Sequence, residues 1–328
     1  MINNKKVLVT GGAGFIGSNL VDRLIDLGNS VVVLDSFLTG KLENIEHHFS
    51  NSNFTLVEGD IRNIEDCKEA VKGCEIVFHQ AALGSVPRSI ENPARTTEIN
   101  VMGTLNMLIA SKDEGVKRFV YAASSSTYGD HPGLPKEEDK IGKPLSPYAV
   151  SKYVNELHAK NFSELYGIET IGLRYFNVFG RRQDPEGAYA AVIPKFVKQL
   201  INGSQITING DGETSRDFTY IENVIHANLR AATTTNPGAI NEVYNVAFGE
   251  RNTLNDLFKF LKEFLVEFKE EVKNAEANYG PQRQGDVRHS LASIEKAKRL
   301  LNYDPEYSLE QGLKEAVKWY WESLQENY

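Results

Sequence analysis

The sequence predicts an α/β fold: a doubly wound, mainly parallel sheet with a smaller C-terminal α/β part. Three observations carry that expectation. Short β-branched apolar runs alternate with helical patterns through the first half of a chain of 328 residues. A glycine-rich turn separates the first run from the first helical pattern. From about Asn177 the alternation gives way to polar glycine turns and longer helical patterns.

The runs at 6–10, 30–34, 54–57, 76–79, 119–122 and 170–173 are apolar on both faces, as strands covered by helices on two sides must be. Between them, Phe15, Ile16, Leu20, Leu24 and Leu27 share one helical face, as do Thr104, Leu105, Leu108 and Ile109. Such alternation builds βαβ units. Later come the turns Asn202-Gly203-Ser204 and Asn209-Gly210-Asp211-Gly212. A helix follows over about 253–273, with Leu257, Phe258, Leu261, Phe264, Leu265 and Phe268 on its apolar face. Two further helices are expected near 293–301 and 309–324. The division expected is residues 1–176 for a cofactor and mainly 177–328 for a substrate, with about 218–248 returning to the first sheet.

Composition narrows the function. Apolar residues are 41% and charged residues 24%, enough of each for a soluble globular core, and the net charge of −8 is spread without long like-charge runs. Nucleic acid and anionic membranes, which require a basic footprint, are not expected partners. No apolar run reaches the roughly 18 residues of a membrane span, and the N-terminus carries no signal-peptide pattern. Cys67 and Cys74 are too few for a disulfide framework and lack metal-ligand spacing. The expectation is a cytoplasmic protein with no metal, its chemistry supplied by an organic cofactor or by side chains.

The turn Thr10-Gly11-Gly12-Ala13-Gly14-Phe15-Ile16-Gly17 spaces Gly11, Gly14 and Gly17 three apart, one residue wider than the common G-x-G-x-x-G. Its physics is the same: a tight turn, backbone that approaches a pyrophosphate, and a helix packed close to the sheet. The helix N-terminus then offers N–H groups and a positive dipole end to phosphates. Asp35 ends the second run 18 residues after Gly17. A carboxylate there bonds the ribose hydroxyls and repels a 2′-phosphate, so NAD is expected rather than NADP. Asp60-Ile61, after the third run, reads either as an adenine contact or as a helix N-cap. Ala81 and Ala82, after the fourth, leave room for the cofactor or make a plain tight turn.

Ser124 follows the fifth run, at the carboxyl edge where open α/β sheets bind ligands. Tyr148 and Lys152 stand i, i+4 behind Pro147, which suits a first helical turn, so they share one face. A free tyrosine, with a pKa near 10, is a poor base at neutral pH. A neighbouring ammonium and a nicotinium charge lower that pKa into the range of general acid–base work.

With these residues in view, the chain resembles an extended short-chain dehydrogenase/reductase of the nucleotide-sugar epimerase group. Within it, the chain is more similar to UDP-N-acetylglucosamine 4-epimerases than to UDP-galactose 4-epimerases. The matching motifs run from Gly11 to about Ser290. The resemblance implies a Rossmann-type domain with tightly held NAD. It also implies further cofactor contacts at Ser36, Phe37, Gly40 and Tyr175. Tyr148 would take the proton of the sugar 4-hydroxyl while C4 gives hydride to NAD. The 4-keto sugar would turn over, and hydride would return to its other face. The resemblance also implies a homodimer built on a four-helix bundle, from helices near 93–114 and 147–166.

For the substrate, the resemblance implies contacts at Ser124, Ser125 and Tyr148, Asn177 near the diphosphate, and Gln183 near the sugar. Ala191 and Val192 would meet the uracil, and Arg216 and Arg283 the diphosphate, for which a forked permanent charge is suited. Arg288 reads equally as an ion pair or a ligand contact. Dehydratases of the group carry Asp and Glu where Ser125 and Ser126 stand, which favours redox epimerisation here. Ser290 occupies the position of a bulky tyrosine in strict UDP-glucose epimerases. With the turn at Gly84 and Ser85, it favours an N-acetylated UDP-hexose or its uronic acid. A UDP-glucose/UDP-galactose epimerase, a dehydratase, a C4 reductase and an NAD-sensing regulator are the alternatives.

Overall fold

The computed structural model describes residues 2–185, 191–282 and 288–325. Seven strands form one parallel sheet: Lys6–Thr10 (β1), Ser30–Asp35 (β2), Phe54–Glu58 (β3), Ile76–His79 (β4), Arg118–Ser124 (β5), Glu169–Tyr175 (β6) and Glu242–Val246 (β7). Their order is β7-β6-β5-β4-β1-β2-β3, with every neighbour parallel. The order reverses between β1 and β4. That switch point opens a crevice at the carboxyl ends of the strands.

Side chains alternate along each strand, and the alternation divides the interior in two. Val7, Val9, Val31 and Val33 join Leu20, Val21 and Leu24 of the helix Phe15–Asp26 (α1). Leu8, Val32 and Leu34 point the other way. They meet Cys67 and Ala70 of the helix Ile64–Val71 (α2) and Met107 and Leu108 of the helix Gly103–Glu114 (α3). Helix Pro147–Tyr166 (α4) adds Ala159 to that second face, and helix Ile221–Thr233 (α5) adds Val224 and Ile225 to the first. The first face continues without a break into Leu257, Leu261, Leu313 and Tyr320 of the C-terminal helices. The Rossmann-type fold class expected from the sequence is the one observed.

Two helical expectations need correction. The helix over 253–273 ends at Leu265, and a 3₁₀ turn spans Glu270–Asn274. The chain must reverse there, because Val272 is buried and Ala277–Gly280 must pair in parallel with Ile206–Asn209. The stretch 93–114 is likewise not one helix. A π turn at Glu98–Met102 separates Pro93–Thr97 from α3. That wider turn turns Ile99 and Asn100 inward, next to the crevice. Among the described residues, no helix is long and apolar enough to cross a membrane.

Close packing at the switch point fixes the glycine turn. Gly11 has φ +68°, and a Cβ on it would lie 2.7 Å from Ala81 Cα. A Cβ on Gly17 would lie 2.0 Å from the Gly11 carbonyl oxygen. Gly17→Ala is therefore expected to destabilise the protein by about 2 kcal/mol or more and to weaken NAD retention. Gly84→Ala, whose Cβ meets nothing within 4 Å, is expected to leave thermal denaturation unchanged. Comparing the two melting curves checks this.

Candidate active site

One cavity of about 400 Å³ occupies the switch point. Gly11, Gly14, Phe15, Ile16 and Gly17 line it from the turn and α1, and Asp35, Ser36 and Gly40 from the end of β2. Asp60 and Ile61 follow β3, and Ala81, Ala82 and Gly84 follow β4. Ser124 ends β5, Tyr148 and Lys152 project from α4, and Tyr175 ends β6. Residues up to 164 positions apart thus share one wall. The lining also takes in Leu38, Thr39, Gln80, Leu83 and Ile99, which no sequence motif marked. Phe37 is absent from the lining. Its backbone, at φ +54°, donates an N–H to Asp35 Oδ1 at 2.9 Å and bends the chain around the acid.

The turn suits a pyrophosphate. No side chain caps α1 at Gly14, and no acidic residue stands in its first turn, so the positive end of the helix faces the cavity. Asp35 Oδ2 accepts from the Ala13 N–H at 2.9 Å. Burial raises its pKa, and the backbone donors of Ala13, Phe37 and Ser36 oppose the rise. The two oxygens offer about four lone pairs, so three backbone donors leave one for a further donor. Asp60 is not the N-cap of α2; Asn63 is, accepting from the Glu65 N–H. Asp60 instead holds Arg62, which keeps its carboxyl below the usual range. These features fit NAD.

Ser124 and Lys152 are buried, and Tyr148 is half-buried. Lys152 Nζ donates to the Ala122 carbonyl at 2.8 Å, and burial lowers its pKa to about 8 against the pull of Glu156. The expected lowering of the Tyr148 pKa is not produced by the protein's own groups. Burial raises it, and only the Ser124 hydrogen bond pulls it down.

A buried polar network underlies this set. His79 Nε2 lies 2.9 Å from Thr104 Oγ1, and Thr104 spends its own proton on the Asn100 carbonyl at 2.6 Å. His79 must therefore carry its proton on Nε2 and accept at Nδ1 from Thr10 Oγ1, at 2.8 Å. Burial and Lys152 push its pKa down to about 3, which keeps it neutral. Asn100 reaches on to the Leu83 backbone and to Ser151 Oγ, which donates to the Tyr148 carbonyl. Tyr175 is held by Gln80 and by Asn228, 53 positions away.

The other described residues expected to meet substrate lie outside that lining. Asn177, at φ +34°, donates to the Asp217 carbonyl. Arg216 Nη1 donates to the Ser215 and Arg288 carbonyls, and the Ser290 N–H donates to Ser215. Asp217, which sequence reasoning missed, anchors this group. It accepts backbone N–H bonds from Phe248, Gly249 and Ala292, and burial lifts its carboxyl to about 7. Gln183 has both ends of its amide engaged, to the Val178 carbonyl and the Tyr320 hydroxyl. Ser85 caps the helix Val86–Glu91, Ser125 opens a 3₁₀ turn, and Ala191 and Val192 begin the helix Val192–Ile201. Arg288 pairs with Asp211 at 2.7 Å, which supports the ion-pair alternative. Arg283 lies outside the described residues.

Elsewhere, Asp22, His47 and His48 bring three ligand-type atoms together. Arg181 and Arg182 sit on the same carboxylate, at 3.1 and 2.9 Å, so two guanidiniums oppose a divalent cation there. Cys67 and Cys74 are buried thiols, pushed up to about 12 and about 11 by burial.

Fold and cavity together define a class: an NAD-dependent enzyme of the short-chain dehydrogenase/reductase type. Residues 7–247 match the NAD dependent epimerase/dehydratase family. A putative UDP-glucose 4-epimerase of Methanocaldococcus jannaschii is 40% identical over 315 residues, 95% of this chain and 97% of that protein. The structure of a UDP-N-acetylglucosamine 4-epimerase from Methanobrevibacter ruminantium M1, in complex with UDP-N-acetylmuramic acid, is 39% identical with a TM-score of 0.91. It covers 98% of this chain and 100% of its own. A UDP-glucuronic acid 4-epimerase from Bacillus cereus, in complex with UDP-glucuronic acid and NAD, is 32% identical with a TM-score of 0.86. Here 97% of this chain and 99% of that one are covered. The chain belongs to the NAD dependent epimerase/dehydratase family.

The lowered Lys152 pKa has a stability consequence. Between about 8 and 10.5 the unfolded chain holds a proton that the folded chain has released. The cost of burying the ammonium is thus fully present below pH 8 and vanishes as pH rises towards 10.5. Lys152→Met is expected to be more stable than the parent at pH 7, by roughly 2 kcal/mol, with the advantage gone at the alkaline end. Denaturation curves across pH check the sign.

Proposed function

We propose that the protein epimerises a UDP-hexose at C4 through a transient 4-keto sugar, with an N-acetylated hexose or its uronic acid as preferred substrate. The observation that carries this reading is the convergence of Ser124, Tyr148 and Lys152 on one cavity with the glycine turn and Asp35. Bound NAD supplies the capacity to accept hydride from C4 and return it. The glycine-turn amides and the α1 N-terminus hold its diphosphate, and Asp35 its ribose. Tyr148 takes the proton of the 4-hydroxyl and gives it back, and Ser124 orients that oxygen. Lys152 shares the cavity wall, and its ammonium acts together with the nicotinium charge of bound NAD to favour the phenolate. Ser125 and Ser126 offer no carboxylate for eliminating water, which supports simple epimerisation over dehydration.

In this reading residues 1–176 chiefly serve NAD, and 177–328 chiefly grip the nucleotide sugar. Arg216 and Arg283 neutralise the diphosphate, Asn177 stands beside it, and Ala191 and Val192 meet the uracil. Ser290 is the specificity position, because its small half-buried side chain leaves room for a 2-acetamido group. The test is kcat/KM on acetylated and plain UDP-hexoses. Ser290→Tyr is expected to depress turnover of the acetylated sugar at least tenfold (about 1.4 kcal/mol), while sparing UDP-glucose. A parent enzyme that strongly prefers UDP-glucose over UDP-N-acetylglucosamine would contradict the assignment.

The protein acts as a homodimer in this account. Val150 and Leu157, seven residues apart on α4, expose an apolar stripe, and Met102 is exposed within the stretch 93–114. Paired with their copies, the helices of 93–114 and α4 form a four-helix bundle that covers these side chains. Sedimentation at micromolar concentration is expected to show a dimer, and Leu157→Glu a monomer.

A further inference from the structure

Three polar side chains from distant parts of the chain close a hydrogen-bond ring at the cavity wall. The Tyr175 hydroxyl donates to Gln80 Oε1 at 3.0 Å, Gln80 Nε2 donates to Asn228 Oδ1 at 3.1 Å, and Asn228 Nδ2 donates back to the Tyr175 oxygen at 2.9 Å. The phenol also lies 3.3 Å from Asn228 Oδ1, but Gln80 Oε1 is nearer and has no other donor among the described residues. Each member thus gives one proton and takes one, and in such a cycle every bond polarises the next. Neither amide can be turned over without setting N–H against N–H or oxygen against oxygen.

The ring is anchored from outside the cavity. Asn228 is fully buried on α5 and does not line the cavity, and its second N–H is tied to the Val224 carbonyl one turn back at 2.8 Å. Tyr175, at the end of β6, and the half-buried Gln80, which follows β4, both line it. Helix α5 covers the first face of the sheet and α4 the second, so the ring reaches the cavity from the side opposite Tyr148 and Lys152. Along the sheet edge Asp35 stands at β2 and the glycine turn at β1, which leaves β4, β5 and β6 for the nicotinamide end of a bound dinucleotide. Gln80 still has one amide N–H and one lone pair without a partner among the described residues.

We propose that Asn228 is a positioning residue: by closing the ring it fixes Tyr175 and Gln80 against the nicotinamide end of NAD. The spare edge of the Gln80 amide takes the nicotinamide carboxamide, which carries the matching donor and acceptor. The Tyr175 hydroxyl is spent within the protein, so what it offers the cofactor is a fixed aromatic surface. The hydrogen-bond ring takes no proton or lone pair from Ser124, Tyr148 or Lys152. The inference rests on the reading that NAD lies in this cavity with its adenosine ribose at Asp35, and on no choice of sugar.

The test is a competition, on the NAD-loaded protein, between bound NAD and ADP-ribose, which is the same molecule without nicotinamide. The ADP-ribose concentration that releases half of the NAD at equilibrium measures the ratio of the two affinities. A general loosening of the fold weakens both ligands and leaves that ratio in place. In Asn228→Leu the half-release concentration is expected to fall about tenfold, the effect of losing one or two positioned hydrogen bonds. Tyr175→Phe, which removes only the hydroxyl, is expected to lower it about fivefold, and the double variant no further than Asn228→Leu alone, because both break one ring. If Asn228→Leu does not fold, Tyr175→Phe and Gln80→Met carry the same expectation. An unchanged half-release concentration in the variants overturns the proposal. So does a double variant whose effects add, since Asn228 and Tyr175 would then act independently. A parent protein that holds no NAD overturns the placement of the cofactor, and this proposal falls with it.

Discussion

The buried ammonium of Lys152 is the constraint around which the site is arranged. It sits under the cavity on α4, tied to a β5 carbonyl, in surroundings that lower its pKa to about 8. Its charge helps hold His79 neutral, and a neutral His79 is what joins the end of β1 to α3. Glu156, one turn further along α4, offsets some of the cost to Lys152. The same carboxylate receives both arms of Arg174 from β6, at 2.9 and 2.7 Å. One unfavourable charge is thus balanced against two neighbouring strands and the helix that carries it. A stability cost located in the wall of a cavity is the usual mark of a functional residue.

This arrangement explains a division of labour over Tyr148. Left to the protein's own groups its pKa is raised, because burial outweighs the Ser124 bond. A phenol protected from solvent in this way ionises only where positive charge is brought beside it. In the proposed function the glycine turn and Asp35 deliver a dinucleotide to that place, since they share the cavity with Tyr148. Cofactor binding and base activation are then consequences of one geometry.

Much of this was legible in the sequence, for physical reasons. The glycine turn, Asp35 and the i, i+4 pair on α4 are local patterns whose spacing carries their geometry. The six first strands were visible as β-branched runs. What stayed hidden is set by tertiary contact. Gln80, Asn228 and Tyr175 meet across as many as 148 positions. Asp217 gains its role only when the backbone at 248–249 and 292 closes over it. The end of the helix at Leu265 follows from the pairing of Ala277–Gly280 with a distant strand, which no local periodicity announces. Gln183 reads as a sugar contact from its motif, and only the fold shows that one N–H and one lone pair of its amide are already engaged.

The central claim is that hydride leaves C4, is held on the cofactor and returns to the same carbon. The most direct measurement uses a UDP-hexose carrying deuterium at C4, incubated with the purified protein in ordinary water and read by proton NMR. The account predicts an inverted product that keeps its deuterium at C4. An inverted product with hydrogen in that position would contradict it, because the label would then have passed to solvent as a proton.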